Sequence, residues 1–474
     1  MMIRVAWRSL MTRPIRAAVL AAGFGFGIGV MATLLGVGQV ILEQAHAPAL
    51  RGGGDLVVAG PFGSVTSARF LISSVFAAPD VAPHLKTASP SRSARLFLMT
   101  PGGPVTVAAT GGIPSLEKSL DGEVAGADAW VDAPGDERWR HPDRGEVLRA
   151  MDRFHAVPDV RARVNSWAEW LYFNGRSRDG RLRIYLTFLV GPPAGTKGMR
   201  TAGVRLQLER DGRSTNYSAR ADVDEALVLA LAPDLEIAGN RVRLDGLTYR
   251  ITLALPGLAA DLELEAPPGR SMPPASVGGA GGWVTGYVVP VLSGALRGTL
   301  QVGTERLTLD ASGYHDHNWG FWEGVSWQWG QVGHDDLSVV YGRVFPPADV
   351  ADPARVPGFL VLLGPSGPLG FSTNVTIDDA VTDRVHVRAS GKDLDLQLEL
   401  GVDETVRSPM ALTGVADGQP LNFFQIGGRY HVKGTVAGRQ IDFTARGSAE
   451  TFKPQSGKRE SGKRESGKPQ PGKP

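Results

Sequence analysis

The 474-residue chain contains no cysteine. Disulfides, thiolate metal sites and cysteine nucleophiles are excluded, and cysteine usage says nothing of the redox compartment. Only one apolar run is long enough to cross a membrane, residues 17–42, with 26 residues and no charge. A polytopic membrane protein is excluded, because each spanning helix takes about 20 such residues. No Walker-type phosphate loop and no Gly-x-Ser-x-Gly elbow occurs, which argues against an NTPase and a serine hydrolase.

What is present points to strands and turns. Glycine numbers 61 and proline 33, a turn-rich composition that favours many short strands over long helices. The formal charge of +2 is a sum of unlike parts. Residues 1–42 hold Arg4, Arg8, Arg13 and Arg16 with no acid, and residues 453–474 hold seven Lys/Arg and two Glu. Subtracting +4 and +5 from the total leaves a body of −7. An acidic body gives phosphate no basic face, so no nucleic-acid partner is expected.

The four arginines ahead of the apolar run place the N-terminus in the cytoplasm by the positive-inside rule. The rest of the chain is expected on the periplasmic or extracellular side of an inner membrane, as a single-pass protein anchored through residues 17–42. Ala45-His46-Ala47 has the small-x-small form of a signal cleavage site. The run nevertheless exceeds a signal h-region, which favours a retained anchor.

From about residue 165 the hydrophobic period becomes two. "RLRIYLTFLV" (181–190), "GVRLQLERDGRSTNYSARADV" (203–223) and "LEIAGNRVRLDGLTYRITLAL" (235–255) alternate and carry Asp-Gly and Gly-Asn turns. Such turns between alternating strands mark hairpins. Three more hairpin-like stretches follow, at 296–313, 384–400 and 430–452. Residues 170–192 and 327–347 share one pattern of aromatic strand, polar turn, strand and proline, which suggests two copies of one β unit. "RGEVLRAMDRFH" (144–155) reads as helix. The repeated "SGKRE" tail cannot bury a core and is expected to be disordered.

The chemistry concentrates at 312–329. "SGYHDHNWG" (312–320) sets His315, Asp316 and His317 in succession, with Tyr314 and Asn318 beside them. Trp319, Trp322, Trp327 and Trp329 follow, four of the ten tryptophans in the chain. His-x-His on a strand turns both rings to one face, as metal ligation needs. Only His334 with Asp335 offers a further ligand nearby, so no metal and no cofactor is assigned. A desolvated Asp316 could instead protonate an alkene, with indole faces stabilising the cation. The plainer alternative is an aromatic core in which Asp316 only ties strands together.

These strings carry a resemblance. "SGYHDHNWG" together with "SWAEWLYFNGR" (166–176) is similar to the carotenoid 1,2-hydratase (hydroxyneurosporene synthase) family and to AttH-like lipocalins, over residues 150–452. The resemblance implies a mainly β fold of two tandem lipocalin-like barrels around an apolar cavity. "VAWRSLMTRPIRAAVLAAGFGFGIGV" and "GGGDLVVAG" (52–60) resemble the first helix and periplasmic start of MacB/FtsX-type permeases. The expected organisation is an Arg-rich end plus transmembrane helix (1–45), a permease-like exported segment (46–150), a first barrel (151–282), a second barrel (283–452) and a basic tail (453–474).

Two functions follow from the resemblance. One is binding of a hydrophobic molecule, a carotenoid, isoprenoid or lipid, beside an ABC transporter. Trp170, Tyr172, Tyr314, His315, Trp319, Trp322, Trp327, Trp329 and Arg343 are the expected ligand contacts. The other is hydration of an isoprenoid C=C, with Asp316 and His317 as acid and base and Tyr341 beside them. In the hydratases a Tyr-x-Asp string supplies an acid. Here Tyr341-Gly342-Arg343 stands in its place, and an arginine does not give up a proton at neutral pH. A third reading is an accessory subunit of an ABC exporter.

Overall fold

A computed structural model describes residues 68–77, 81–120, 131–140, 142–211, 213–365, 367–380, 383–410 and 421–453. The expected anchor, the permease-like string at 52–60 and residues 454–474 of the tail lie outside these residues. None of the helices among the described residues is long and apolar enough to cross a membrane.

The chain divides into two compact units, residues 1–65 with 85–141 and residues 66–84 with 142–474. Helix α1 (Ala68–Ala77) belongs to the larger. The smaller holds the antiparallel hairpin β1 (Ser91–Thr100) and β2 (Gly103–Gly112), followed by α2 (Pro114–Ser119) and α3 (Pro134–Glu137). Within it Ser115 and Arg140 both bond Asp132, at 2.7 and 2.8 Å.

The rest of the larger unit opens with α4 (Arg144–Met151). Asp143 caps it by accepting the Glu146 N–H at 2.8 Å, which satisfies a donor that has no partner inside the helix. Val147, Leu148 and Met151 are buried. The helix stops at Met151, short of the expected residue 155, and Asp152 and Phe154 just beyond it are buried in the first sheet's interior.

That sheet has eleven antiparallel strands. They are β3 (Trp167–Ser177), β4 (Leu182–Pro193), β5 (Met199–Arg210), β6 (Arg213–Asp224), β7 (Leu235–Ile237), β8 (Asn240–Asp245), β9 (Thr248–Leu255), β10 (Leu258–Glu265), β11 (Met272–Gly278), β12 (Val284–Val302) and β13 (Glu305–Phe321). Helix α5 (Glu225–Leu231) joins β6 to β7. The order is β6-β5-β4-β3-β13-β12-β10-β9-β8-β7, with β11 on the far part of β12. β8, β9 and β10 alternate strictly between buried and outward residues, as one face toward a core requires. Ala238 and Gly239 turn β7 into β8 with φ of 49° and 79°, the mirror-image turn that matches strand twist.

The second sheet has nine strands: β14 (Ser326–His334), β15 (Leu337–Phe345), β16 (Phe359–Gly364), β17 (Gly367–Ser372), β18 (Asn374–Asp378), β19 (Arg384–Gly391), β20 (Leu394–Met410), β21 (Leu421–Val436) and β22 (Arg439–Lys453). Its order is β17-β16-β15-β14-β22-β21-β20-β19-β18. Both sheets are nearly closed and barrel-like. In each, the first four strands form a meander, and the last strand returns to pair with the first. The expected hairpins are all present.

The boundary between the two sheets differs from the sequence expectation. The Gly/Pro-rich stretch at 266–282 contains β11, an edge strand whose register shifts between Met272 and Ala275. Pro273 and Pro274 lie in that shift, where they have no ladder hydrogen bond to give. The first sheet also runs past residue 282, because β12 and β13 complete it by pairing with β10 and β3. The chain changes sheet between Phe321 and Ser326.

Two cores result. One lies inside the second sheet, around Val339, Tyr341, Leu360, Leu396 and Tyr430. The other fills the first sheet and continues across its outer face onto Trp329, Val340, Val361 and Leu363 of the second. The two sheets therefore meet along an apolar seam.

Candidate functional site

β13 is the strand on which the chemistry is arranged. Adjacent strand residues point to opposite faces, and each face of β13 is buried against a different set of partners.

His315, His317 and Trp319 face the interior of the first sheet. Asp152, just past α4, reaches in beneath them. Its Oδ1 accepts the His317 Nδ1–H at 2.9 Å, and its Oδ2 accepts the His315 Nε2–H at 3.0 Å and the Tyr249 hydroxyl at 2.7 Å. His317 Nε2 donates to Glu169 Oε1 on β3 at 3.0 Å. His155 Nδ1 donates to the same oxygen at 2.7 Å, and its backbone N–H lies 3.0 Å from both Glu169 oxygens. Asp152, Glu169, His315 and His317 are wholly buried. His315 also stacks on Phe173 at 4.0 Å between ring centroids and donates to the Tyr172 carbonyl at 3.0 Å.

Burial alone would push these carboxyls toward their neutral forms. For Asp152 the two histidines overcome it and bring the group down to about 2. For Glu169 hydrogen bonds from His155 and His317 overcome burial and leave it below the ordinary value. Burial would lower His317, but bonds to the two carboxylates raise it to about 9.

Tyr314, Asp316 and Asn318 face the seam. Asp316 Oδ2 accepts the Tyr314 hydroxyl at 2.9 Å, and Oδ1 accepts the Asn318 amide at 2.8 Å. Tyr314 in turn lies 2.5 Å from the Tyr287 hydroxyl, which accepts the Trp329 indole N–H at 3.2 Å. From β22, Glu450 accepts the Tyr172 hydroxyl at 2.7 Å. Burial, then the Glu450 carboxyl, pushes Asp316 well above the usual carboxylate range. Burial also raises Glu450 to about 7. The two faces of one strand thus hold carboxyls of opposite character: ionised inside the first sheet, held toward the neutral acid at the seam.

Two seam atoms lack protein partners. Asn174 Nδ2 and Gln425 Oε1 are buried and make no hydrogen bond among the described residues. Asn174 Oδ1 is taken by Gln331 at 2.6 Å, and Gln425 pairs across the ladder with Glu450. Tyr287, Trp327 and Phe359 are half-buried, with the Tyr287 and Phe359 rings 5.6 Å apart.

The expected site residues are therefore dispersed. Asp316 and His317 do not form an acid–base pair, because they point to opposite faces. Tyr341 is not beside Asp316. It lies inside the second sheet with its hydroxyl 2.9 Å from that of Tyr430, because its neighbours along β15 put it on the inward face. The four tryptophans form no single wall. Trp319 stacks on His155 at 4.3 Å, Trp322 and Trp327 cluster with Trp170 at 4.6 and 6.1 Å, and Trp329 lies 5.3 Å from Tyr314. His315 is enclosed by Phe173, Tyr249 and Asp152. Arg343 sits over Phe345 at 4.8 Å and donates to the Pro353 carbonyl at 3.2 Å. Tyr172, Tyr314 and Trp329 do line the seam.

Asp152, His155, Glu169, Tyr287, Gln425 and Glu450 were not singled out from sequence. Glu169 stands inside the "SWAEWLYFNGR" string, and Asp152 and His155 end the string read as helix. The signal was a charged or imidazole residue at an apolar-periodic position.

No protein-family model matches the chain, and no curated protein sequence does. Among solved structures, the chain is similar to a protein from Nitrosomonas europaea provisionally named AttH. The two share 14% identity, with a TM-score of 0.43, over 61% of this chain and 93% of that one. It is similar also to CghA, solved with Sch210972, at 11% identity and a TM-score of 0.42, over 61% of this chain and 89% of that one.

Proposed function

We propose that the protein binds an amphipathic small molecule of the isoprenoid or lipid class at the seam between its two sheets. The observation that carries this is the pair of orphaned buried atoms, Asn174 Nδ2 and Gln425 Oε1, the latter opposite Glu450 across the β21–β22 ladder. A buried polar atom without a partner costs about 1–3 kcal/mol. A hydroxyl head group, which both donates and accepts, could pair with Gln425 Oε1 or with Asn174 Nδ2, and Tyr287, Trp329 and Phe359 would pack along an apolar body. The anchor expected at 17–42 would hold the barrels where such ligands are abundant, and an ABC transporter subunit would be the membrane partner.

The test is native mass spectrometry of the full chain purified in a mild detergent, followed by lipid extraction. One bound isoprenoid or lipid per chain, lost in a Gln425→Leu, Asn174→Leu double variant, is expected. A ligand-free wild type that takes up neither class on incubation contradicts the proposal.

One observation favours a second, enzymatic reading. Tyr287, Tyr314 and Asp316 form a hydrogen-bonded chain from a half-buried hydroxyl to a buried carboxyl. Such a chain could deliver a proton to one carbon of a C=C while water oxygen bonds the other, the water's surplus proton returning to the chain. Incubation with an acyclic isoprenoid in oxygen-18 water distinguishes this reading by a labelled alcohol product.

A further inference from the structure

We propose that His155, Glu169 and His317 bind a divalent first-row transition metal of the zinc type, on the face of β13 opposite the seam. The ligand atoms all lie within 4.8 Å of one another. In a tetrahedral zinc site, with bonds near 2.0–2.2 Å, ligand atoms stand about 3.3 Å apart. The present spacings of 2.7 Å from His155 Nδ1 to Glu169 Oε1, and 3.0 Å from His317 Nε2 to that oxygen, are close to this. Small side-chain movements would exchange two hydrogen bonds for three metal bonds. Two imidazoles and a carboxylate are a donor set that zinc, cobalt(II) and iron(II) all accept.

The surroundings are arranged as a metal site needs. Asp152 occupies His317 Nδ1, which fixes the ring and aims Nε2 at Glu169 as the nitrogen that would ligate the ion. A carboxylate behind a ligating histidine does this in many metal sites. Trp319 stacks on the His155 ring at 4.3 Å, and Phe154 packs on His317 at 5.0 Å. Buried Arg200 donates to the His155 carbonyl at 3.4 Å and holds that loop. The side chains of Glu169 and His317 are 0% exposed, whereas that of His155 is 29% exposed. An ion would enter past His155, and a fourth ligand, water or substrate, would come from that exposed side. Asp152 and Glu169 together supply the two negative charges that offset a divalent ion in a dry site.

The strand alternation read from sequence did turn His315 and His317 to one face. The proposed third partner is not His334, whose ring stacks on Phe443 in the second sheet at 5.0 Å.

The experiment uses the full chain, stripped of metal and titrated with zinc by calorimetry and with cobalt(II) by visible absorption. One equivalent is expected, with the intense absorption of a low-coordinate cobalt site. His155→Ala should abolish binding with circular dichroism unchanged, since His155 is only partly buried. Asp152→Asn should weaken binding about 10- to 100-fold, and His334→Ala should leave it unchanged. Absence of stoichiometric binding by the wild type, or full binding by His155→Ala, would overturn the proposal. Neither result bears on ligand uptake at the seam, so the two proposals fail separately.

Discussion

Asp152 is the side chain on which both interior histidines and Tyr249 depend. Removing it strands three donors and leaves His317 with one carboxylate, so Asp152→Ala should destabilise the protein by about 3–5 kcal/mol. Urea unfolding measures this; a loss under 1 kcal/mol would show the network to be dispensable. Glu450 makes a prediction about pH. Its folded value of about 7 lies above the ordinary 4.5, so the folded state binds its proton more tightly than the unfolded state. That stabilisation is complete below about pH 4.5 and is lost as pH rises through 7, by about 3 kcal/mol in all. Relative to Glu450→Gln, the wild type should therefore weaken between pH 4.5 and 7, which denaturant melts across that range check. At this scale the sequence was partly legible. His315, Asp316 and His317 announced themselves by their density. Asp152 and Glu450 did not, because each acts on residues far along the chain and neither stands in an unusual string.

The strand carries its chemistry through its period of two. Alternation along β13 was readable from "SGYHDHNWG" for His315 and His317, but it was not applied to Asp316, which was paired with His317 as acid and base. What alternation does not tell is what lies over each face. The interior face is closed by the residues after α4, and the seam face by β14 and β22, which come from elsewhere in the chain. Where two elements cross closely, a glycine is needed. A Cβ on Gly286 of β12 would meet the Trp319 ring at 2.1 Å. Gly286→Ala should cost about 1–3 kcal/mol by overpacking and push Trp319 off His155. A lowered thermal midpoint together with a shift in tryptophan fluorescence is expected.

At the scale of the whole larger unit, the two sheets repeat one strand order, and the seam joins them. The repeat was visible as two similar aromatic hairpins, β3–β4 and β14–β15, which each begin their sheet. The seam was not visible, because outward-facing Trp329, Val340, Val361 and Leu363 read as ordinary strand residues until a partner sheet covers them. Since the first core includes these four side chains, the sheets should unfold together. Calorimetry should show one transition for both, and two resolved transitions would mean the seam adds little. Quenching of tryptophan fluorescence tests whether this seam holds a ligand. The full chain would be titrated with an acyclic isoprenoid alcohol, alongside Trp329→Phe and the Gln425→Leu, Asn174→Leu double variant. Saturable quenching by the wild type is expected, most of it absent in Trp329→Phe, with at least about tenfold weaker binding in the double variant. Non-saturable quenching, or equal affinity in wild type and double variant, would contradict ligand binding at the seam.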